Sequence, residues 1–430
     1  MSTTGHELPP LRCATAGSVD DGKSTLIGRL LFDAKALHTD QLAHLTEWSQ
    51  RRGLLHRDLA LVTDGLRAER EQGITIDVAW RYFATPARRF ILADAPGHVQ
   101  YTRNMVTAAS HADVAIILVD ARRGITEQTR RHVFVARLLG VRGITVAINK
   151  MDQVSFDLEV FARIRSDIVE YLASIDLPRA PAELAFIPIS ALNGDNVVDA
   201  STSMPWYDGP TLLAHLERLP VDHERSGAPA RLSVQCVIRP QSAAFPDYRA
   251  YAGRVASGVF RPGDAVRIVP ANVAATILSV ETADGPVLEA RAGASIALRF
   301  TSDLDVGRGD LIIGDTGKPP VIGRTLTADV AWVQDVESRL ETAYVLKAGS
   351  REVKAYLEAV ESRYDVASGA ETSPGDSPLC LNDLARVRLR TSETIAVDPY
   401  ADLRATGSFL LIDATTGHTV AAGMARAQNH

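Results

Sequence analysis

The feature that most constrains the fold of this chain is a glycine-rich loop near its start, Gly17–Ser24, with the sequence GSVDDGKS. The loop lies between an apolar run of strand length, Leu11–Ala16, and a helix-forming stretch that begins at about Lys23. In this context the pattern indicates a phosphate-binding loop, because its backbone N–H groups and the helix N-terminus face the anion. We expect Lys23 to reach the β- and γ-phosphates of a nucleotide and Ser24 to bind Mg²⁺. The residues expected to line the phosphates are Gly17, Ser18, Val19, Asp20, Asp21, Gly22, Lys23, Ser24 and Thr25. For this motif alone, a glycine turn leading into a helix remains the alternative.

The first half of the chain alternates apolar runs of strand length with amphipathic stretches. The runs that follow the loop are Phe90–Asp94, Val114–Asp120, Ile144–Asn149 and Ala185–Ile189. Apolar residues recur at intervals of three and four between Val160 and Ile175, which is one face of a helix. A second helix is expected from about Thr126 to Leu139, ending at Gly140. Alternation of strands and helices predicts a mostly parallel, doubly wound sheet covered by helices on both sides, ending near Pro220.

A second motif follows the run Phe90–Asp94. It consists of Asp94, Ala95, Pro96, Gly97 and His98. An aspartate at the end of a strand can hold a metal ion through water, and the Gly97 N–H can contact a γ-phosphate. Asp-x-Pro-Gly is also a common turn, so the prediction depends on the motif's position after the phosphate loop.

The third and fourth motifs indicate which base is bound. Asn149, Lys150, Met151 and Asp152 follow one apolar run, and Ser190, Ala191 and Leu192 follow the next. The carboxylate of Asp152 can accept hydrogen bonds from the ring N–H and the exocyclic amine of guanine. Adenine offers no such donors and would leave the carboxylate unsatisfied. A backbone amide in Ser190–Leu192 is expected at the guanine oxygen. An Asn or Asp that caps a helix is the alternative for a single match, but four motifs in order predict GTP binding.

Beyond Val221 the pattern changes to short strands. Leu232, Val234, Cys236 and Ile238 alternate with more polar positions, which predicts one half-buried strand. Arg261–Asp264 has the order of proline and glycine found in a type II turn, and Gly314–Gly323 has the composition of a linker. We therefore expect a multidomain α/β plus all-β protein, with two β-barrels after the α/β domain. The expected boundaries are 1–220, 229–316 and 324–426.

Composition excludes several other classes of protein. The chain has 430 residues, of which 46% are hydrophobic and 23% charged, as in folded globular proteins. The net charge of −6 provides no general attraction to nucleic acid, and no nucleic-acid partner is expected. Three widely separated cysteines, no apolar leader and no apolar run near the ~20 residues of a membrane span favour a cytoplasmic protein.

These motifs and the barrels that follow resemble those of the translational GTPases, and elongation factor 1-alpha in particular. Longer stretches resemble the large GTPase subunit of bacterial two-component sulfate adenylyltransferase. They are Gly17–Leu30, Pro96–Met105, Ser190–Val197, Met204–Leu212, Asp398–Tyr400, Thr406–Asp413 and Ala421–Met424. This resemblance covers essentially the whole chain, although the stretch around Cys236 and the one from Asp376 to Leu384 match loosely.

The resemblance implies roles for individual residues. Lys23, Ser24 and Thr75 match phosphate and Mg²⁺ contacts, and Asp94 matches a metal ligand that acts through water. Asn149 and Asp152 match the residues that read the base. His98 matches the histidine that positions the attacking water, with a solvated loop histidine as the alternative. The resemblance thus implies Lys23, Thr75 and His98 as catalytic residues, with GTP and Mg²⁺ as cofactors.

The resemblance also implies a partner. A separate small catalytic subunit would form adenosine 5′-phosphosulfate and pyrophosphate from ATP and sulfate, and GTP hydrolysis by this chain would drive that reaction. The chain shows one phosphate loop, so an adenylylsulfate kinase is expected to be a separate protein. The main alternative is a translation elongation factor that delivers aminoacyl-tRNA. Ser18 and Asp21 stand where common elongation factors often carry histidines, which favours sulfate activation.

Overall fold

The computed structural model of the chain describes residues 8–36, 59, 78–96, 102–177, 181–220, 228–240, 248–375 and 377–427. These form two compact units. One unit comprises Met1–Val221 together with Asp365–Glu371, and the other comprises Asp222–Tyr364 and Thr372–His430. Thr75, Gly97 and His98 lie outside the described residues.

The first unit contains a six-stranded sheet. Its strands are β1 (Leu11–Ala16), β2 (Ala79–Ala84), β3 (Arg89–Asp94), β4 (Val114–Asp120), β5 (Gly143–Asn149) and β6 (Glu183–Pro188). The strand order is β2-β3-β1-β4-β5-β6; β2 runs antiparallel to β3, and the other neighbours are parallel. Every residue of β4 and β5 is buried, as expected for central strands covered on both faces. The predicted doubly wound α/β sheet is confirmed.

Five α-helices lie within the described residues of this unit. They are α1 (Lys23–Asp33), α2 (Thr102–Ser110), α3 (Glu127–Leu138), α4 (Leu158–Ser174) and α5 (Leu212–Arg218). Helix α3 begins after Thr126, whose side chain accepts the Thr129 N–H, and Gly140 adopts the left-handed φ of 61° expected after a helix end. Within the described parts of the chain, no helix combines the length and the apolar character needed to cross a membrane.

The topology places the predicted motifs at one edge of the sheet. β1, β3, β4 and β5 are parallel, and they end at Ala16, Asp94, Asp120 and Asn149. The carboxyl ends of parallel strands share one edge, and ligands of open α/β sheets bind there. The phosphate loop, Asp94 and the Asn149 motif therefore meet at this edge.

The second unit contains two closed rings of six strands each. The first ring is formed by Arg231–Ser233, Ala250–Ser257, Ala265–Val269, Val273–Thr282, Ser295–Phe300 and Leu311–Gly314. The second is formed by Val321–Trp332, Ala343–Ala348, Arg351–Asp365, Leu384–Val397, Ser408–Asp413 and Thr419–Ala425. Each ring encloses its own apolar core, so the prediction of two β-barrels is confirmed.

One strand prediction in the first barrel is wrong. The alternation from Leu232 to Ile238 predicted a single strand, but the chain forms Arg231–Ser233 and Cys236–Ile238 as two separate strands. Leu232 and Val234 are buried, whereas Cys236 and Ile238 are exposed. At the break, two consecutive N–H groups bond to different segments: Val234 donates to the Asp310 carbonyl and Gln235 donates to the Ala252 carbonyl. The alternation of buried and exposed side chains is therefore reversed after Val234. The predicted linker is also shorter than expected, since a strand begins at Val321.

Candidate nucleotide-binding site

The backbone of the phosphate loop takes up conformations that few residues tolerate. Asp20 has a φ of 68° and Gly22 a φ of 94°. A Cβ atom at Gly22 would lie 2.5 Å from Nδ2 of Asn149, closer than atoms in contact can approach. Position 22 therefore requires glycine for its backbone angle and for its distance from Asn149.

Side-chain donors hold five carbonyl contacts of the loop in place. Lys23 Nζ donates to the Gly17 carbonyl at 2.7 Å and to the Ser18 carbonyl at 3.0 Å. Arg123 Nη1 donates to the Val19 carbonyl at 3.5 Å, and Lys150 Nζ donates to the Asp20 carbonyl. Asn149 Nδ2 donates to the Asp21 carbonyl at 2.7 Å. In a trans peptide the next N–H points away from the carbonyl. The N–H groups of Val19, Asp20 and Gly22 consequently point away from these donors, and successive N–H groups of such a loop are donors that an anion accepts.

Two charged side chains are buried in the loop. The Asp21 carboxylate accepts the Ser18 N–H at 2.6 Å; burial raises its pKa, and the Ser18 hydrogen bond and the Lys23 charge only partly oppose this. Burial lowers the pKa of Lys23, which the nearby carboxylates of Asp94 and Asp21 partly offset. The loop therefore places a desolvated ammonium group where an anion would provide a strong partner.

The start of α1 directly follows the phosphate loop. Among the described residues, no side chain caps this helix, which begins directly after Gly22. Ser24 and Thr25 in its first turn are half-buried. Asp94 is buried at the end of β3, where Thr15 Oγ1 donates to its Oδ1 at 3.4 Å. An uncapped helix N-terminus fits phosphate groups, and a hydroxyl group together with a carboxylate is the kind of oxygen ligand that Mg²⁺ accepts.

Asn149 joins three of the predicted motifs. Its Nδ2 donates to the Asp21 carbonyl at 2.7 Å, and its Oδ1 accepts the Ala191 N–H at 2.9 Å. The side chain is buried, so both bonds are protected from water. One amide therefore fixes the phosphate loop and the Ser190–Leu192 motif on either side of the end of β5.

The other residues of the base motifs lie beside this junction. Lys150 has a left-handed φ of 64°, and a short 3₁₀ helix, Met151–Val154, follows it. Asp152 in that helix is half-buried and accepts a hydrogen bond from Gln153 Nε2 at 2.8 Å. Ser190 is buried and its Oγ accepts the Asn193 N–H at 3.3 Å. Met151 and Ala191 are also buried, whereas Leu192 is 45% exposed.

Residues that the sequence analysis did not single out also belong to this edge. Asp120, at the end of β4, pairs with Arg122 at 2.6 Å and with Lys150 at 3.0 Å. Burial alone would raise the pKa of Asp120, but the hydrogen bonds from Arg122 and Lys150 lower it to about 2. Thr126, at the start of α3, contacts Ser18. The position of Asp120 at the carboxyl end of a strand could have indicated that it lies at this edge. No local sequence pattern indicated that Thr126 contacts the phosphate loop.

Comparisons with known proteins agree with this geometry. The family described as "Elongation factor Tu GTP binding domain" matches residues 9–222, and "GTP-eEF1A C-terminal domain-like" matches residues 325–426. A structure titled "Crystal Structure Analysis of sup35 complexed with GDP" aligns with 100% of this chain and 96% of its own, at 22% identity and a TM-score of 0.44. At that level the likeness bears on neither fold nor function.

Curated relatives match nearly the whole chain. "Bifunctional enzyme CysN/CysC" of Mycobacterium tuberculosis (strain CDC 1551 / Oshkosh) is 50% identical over 416 residues, covering 96% of this chain and 67% of the relative. "Sulfate adenylyltransferase subunit 1" of Laribacter hongkongensis is 45% identical over 424 residues, covering 98% and 86%. The protein of that name from Aeromonas hydrophila is 44% identical, covering 96% and 85%. The chain therefore belongs to the sulfate adenylyltransferase subunit 1 family, and its residues 9–222 match the GTP-binding domain of elongation factor Tu.

Proposed function

We propose that this chain is a GTPase that drives sulfate activation by a separate small catalytic subunit. The partner would transfer the adenylyl group of ATP to sulfate, which yields adenosine 5′-phosphosulfate and pyrophosphate. GTP hydrolysis on this chain would supply free energy for that uphill transfer. Membership of the subunit 1 family supports the partnership, and the motifs at the edge of the first sheet support the GTPase.

The GTPase proposal depends most on the two hydrogen bonds of the Asn149 side chain, one to the Asp21 carbonyl and one from the Ala191 N–H. These bonds tie the phosphate loop to the motif that would contact the base, so both ends of a nucleotide would meet one rigid surface. The base would lie against Asn149–Asp152 and Ser190–Leu192, and the phosphates would lie in the loop and at the start of α1.

The loop residues would bind and orient the phosphates. Gly17–Thr25 would surround them with N–H groups, and Lys23 would place its ammonium group against the β- and γ-phosphate oxygens. Ser24, and Asp94 through water, would hold Mg²⁺, which when bound neutralises developing negative charge on the phosphates. Ala95 and Pro96, both buried, would hold Asp94 in place.

Asp152 would provide the preference for guanine. Its carboxylate would accept two hydrogen bonds from the base edge, an arrangement that adenine cannot satisfy. The backbone amide of Ala191 is committed to Asn149, so an amide elsewhere in Ser190–Leu192 would contact the guanine oxygen.

Three further roles fall on residues outside the described part of the chain. Thr75 would bind Mg²⁺ only while the γ-phosphate is present, Gly97 would contact that phosphate through its N–H, and His98 would position the attacking water. Together they would form a switch whose two nucleotide states differ in affinity for the small subunit. Lys23, Thr75 and His98 are the proposed catalytic residues.

We further propose the division into a GTPase domain at 1–220 and barrels at 229–316 and 324–426, and a cytoplasmic location. An adenylylsulfate kinase is a proposed additional partner, because adenosine 5′-phosphosulfate would be its substrate.

The proposal is tested by exchanging the base preference. Asp152→Asn should weaken GTP binding by about 3 kcal/mol and strengthen binding of xanthosine triphosphate, because an amide donates where the carboxylate accepted. Titration calorimetry with both nucleotides measures the change. Asp157→Asn is the matched control, since Asp157 caps helix α4 by accepting the Glu159 N–H and would not touch the base. Unchanged GTP affinity in Asp152→Asn would remove Asp152 from the site.

A pull-down experiment separates this proposal from translation. The chain loaded with GTP should retain the small adenylyltransferase subunit and should not retain aminoacyl-tRNA. The reverse result would establish a translation factor instead.

A further inference from the structure

A chain of three hydroxyl groups connects the phosphate loop to the start of helix α3. Ser18 Oγ lies 2.9 Å from Thr126 Oγ1, which lies 2.9 Å from Thr129 Oγ1. Ser18 is 6% exposed and Thr129 is 1% exposed. Ser18 and Thr126 are 108 residues apart in the sequence. The row of hydroxyl groups is therefore a tertiary contact of the loop and not part of a local turn.

The number of protons and lone pairs makes these bonds depend on one another. Thr126 Oγ1 already accepts the Thr129 N–H at 3.1 Å, and Thr129 Oγ1 accepts the Thr126 N–H at 3.3 Å. Each hydroxyl has one proton and two acceptor sites. Thr126 must therefore donate to one neighbouring hydroxyl and accept from the other. Removing the Thr126 hydroxyl breaks the cap of α3 and the bond to the loop together.

The segment that leads into α3 supports the loop in two more ways, one direct and one through Lys150. Arg123 Nη1 approaches the Val19 carbonyl at 3.5 Å. Asp120 holds Lys150 at 3.0 Å, and Lys150 in turn donates to the Asp20 carbonyl. Residues 18, 19 and 20 of the loop are thus each hydrogen-bonded to Thr126, to Arg123 or to Lys150, which pairs with Asp120. The contact between Ser18 and Thr126 is partly buried, whereas the contacts of Arg123 and Lys150 with the loop are exposed.

We propose that Thr126 is a positioning residue, which holds the phosphate loop in its binding conformation through the Ser18 hydroxyl and thereby slows nucleotide dissociation. This inference rests on the proposed guanine-nucleotide site. The hydrogen bond to Thr126 anchors the Ser18 side chain, and Ser18 directly precedes the peptide that carries the Val19 N–H. A loop released from Thr126 would have to be ordered again by each nucleotide that binds, which reduces affinity.

The test measures dissociation of fluorescently labelled GDP from the full chain. Thr126→Val and Ser18→Ala should each accelerate dissociation by about fivefold to tenfold, the scale of one buried hydrogen bond. The double variant should be no faster than the faster single variant, because both changes remove the same bond. Thr126→Ser keeps the hydroxyl and should retain the wild-type rate.

Thr211→Val is the matched control. Thr211 caps helix α5 by accepting the Ala214 N–H at 3.3 Å, and none of its described contacts reaches the phosphate loop. It should lower thermal stability about as much as Thr126→Val and leave the dissociation rate unchanged.

The outcomes distinguish this inference from the proposed function. A wild-type chain that does not bind labelled GDP contradicts the proposed function. A wild-type chain that binds, with unchanged rates in Thr126→Val and Ser18→Ala, contradicts only the inference and reduces Thr126 to a helix cap. If Thr126→Val fails to fold, Ser18→Ala decides alone, since it leaves all three hydrogen bonds between Thr126 and Thr129 intact.

Discussion

At the residue scale, the candidate site is shaped by side chains that hold backbone groups in place. Asn149, Lys150 and Lys23 all donate to carbonyls of the phosphate loop. Their hydrogen bonds fix which way each peptide faces, and the peptides then present N–H groups to a ligand. A substitution behind the loop should therefore affect binding as much as one that touches the nucleotide.

Gly22 tests this view of the loop. Gly22→Ala forces an L-residue into a left-handed conformation, which costs about 1–2 kcal/mol, and also places a methyl group against Asn149. We expect a clear fall in melting temperature and a further loss of nucleotide affinity, because Asn149 must move away from the Asp21 carbonyl. Calorimetric melting and nucleotide titration measure the two effects.

Gly263→Ala supplies the control for the backbone strain. Gly263 has a similar φ of 89°, and nothing lies within 4 Å of the Cβ position. It should lose stability from strain alone and keep wild-type nucleotide affinity. Equal effects of the two substitutions on affinity would contradict the role assigned to the contact between Gly22 and Asn149.

At the scale of single elements, sequence patterns predicted the strands and helices whose formation depends on residues close together in the sequence. The buried strands ending at Asp94, Asp120 and Asn149, and helix α3 with its cap at Thr126, follow from hydrophobic periodicity and capping chemistry. The break after Val234 did not follow, because the partners of that segment are Asp310 and Ala252, far along the chain.

The same distinction applies to the candidate site. Residue types and order predicted that Lys23, Asp94 and Asn149 would meet, since parallel strands bring their ends together. The bonds from Asn149 to Asp21 and Ala191, and from Ser18 to Thr126, depend on side-chain directions that only packing decides. For that reason these hydrogen bonds to the loop could not be predicted from the sequence.

Helix α3 should make stability depend on pH. His132 on this helix is fully buried; burial, with the charges of Lys23 and Arg131, lowers its pKa from the ordinary 6.5 to about 3. Below its ordinary pKa the unfolded chain binds a proton here that the folded chain excludes, so stability falls as pH falls. The loss attributable to His132 should be about 2 kcal/mol between pH 7 and pH 5.

Urea unfolding at several pH values measures this dependence. His132→Gln should flatten the fall in stability between pH 7 and pH 5, whatever its effect at neutral pH. His111→Gln, which changes an exposed histidine of the same unit, should leave the slope as in the wild type. An unaltered slope in His132→Gln would mean that other groups cause the acid sensitivity.

At the scale of the whole molecule, the second unit contains a buried ion pair that joins its two barrels. Arg231 lies in a strand of the first barrel, and Asp398 directly follows a strand of the second. Two Arg231 nitrogens each lie 3.0 Å from an oxygen of Asp398, and both side chains are almost fully buried. Thr406 Oγ1 also donates to Asp398 at 2.6 Å.

Breaking this pair should destabilise the second unit. Arg231→Met leaves a buried carboxylate without its cation and should cost about 3–5 kcal/mol, whereas Arg231→Met with Asp398→Leu should recover much of the loss. Lys347→Met breaks the exposed pair with Glu352 and should cost far less, because water screens the charges of an exposed pair. Urea unfolding followed by circular dichroism compares the three; equal costs for Arg231→Met and Lys347→Met would show that burial of the pair is unimportant.

GTP hydrolysis on this chain, in the function proposed for it, drives sulfate activation by a partner. The direct measurement follows GTP hydrolysis and adenosine 5′-phosphosulfate formation together, in a mixture of this chain, the small subunit, ATP and sulfate. Without GTP, product should stop at a low level; with GTP, it should rise beyond that level and stop rising when GTP is exhausted. Product that reaches the same final level with and without GTP, while GTP is hydrolysed, would contradict the account.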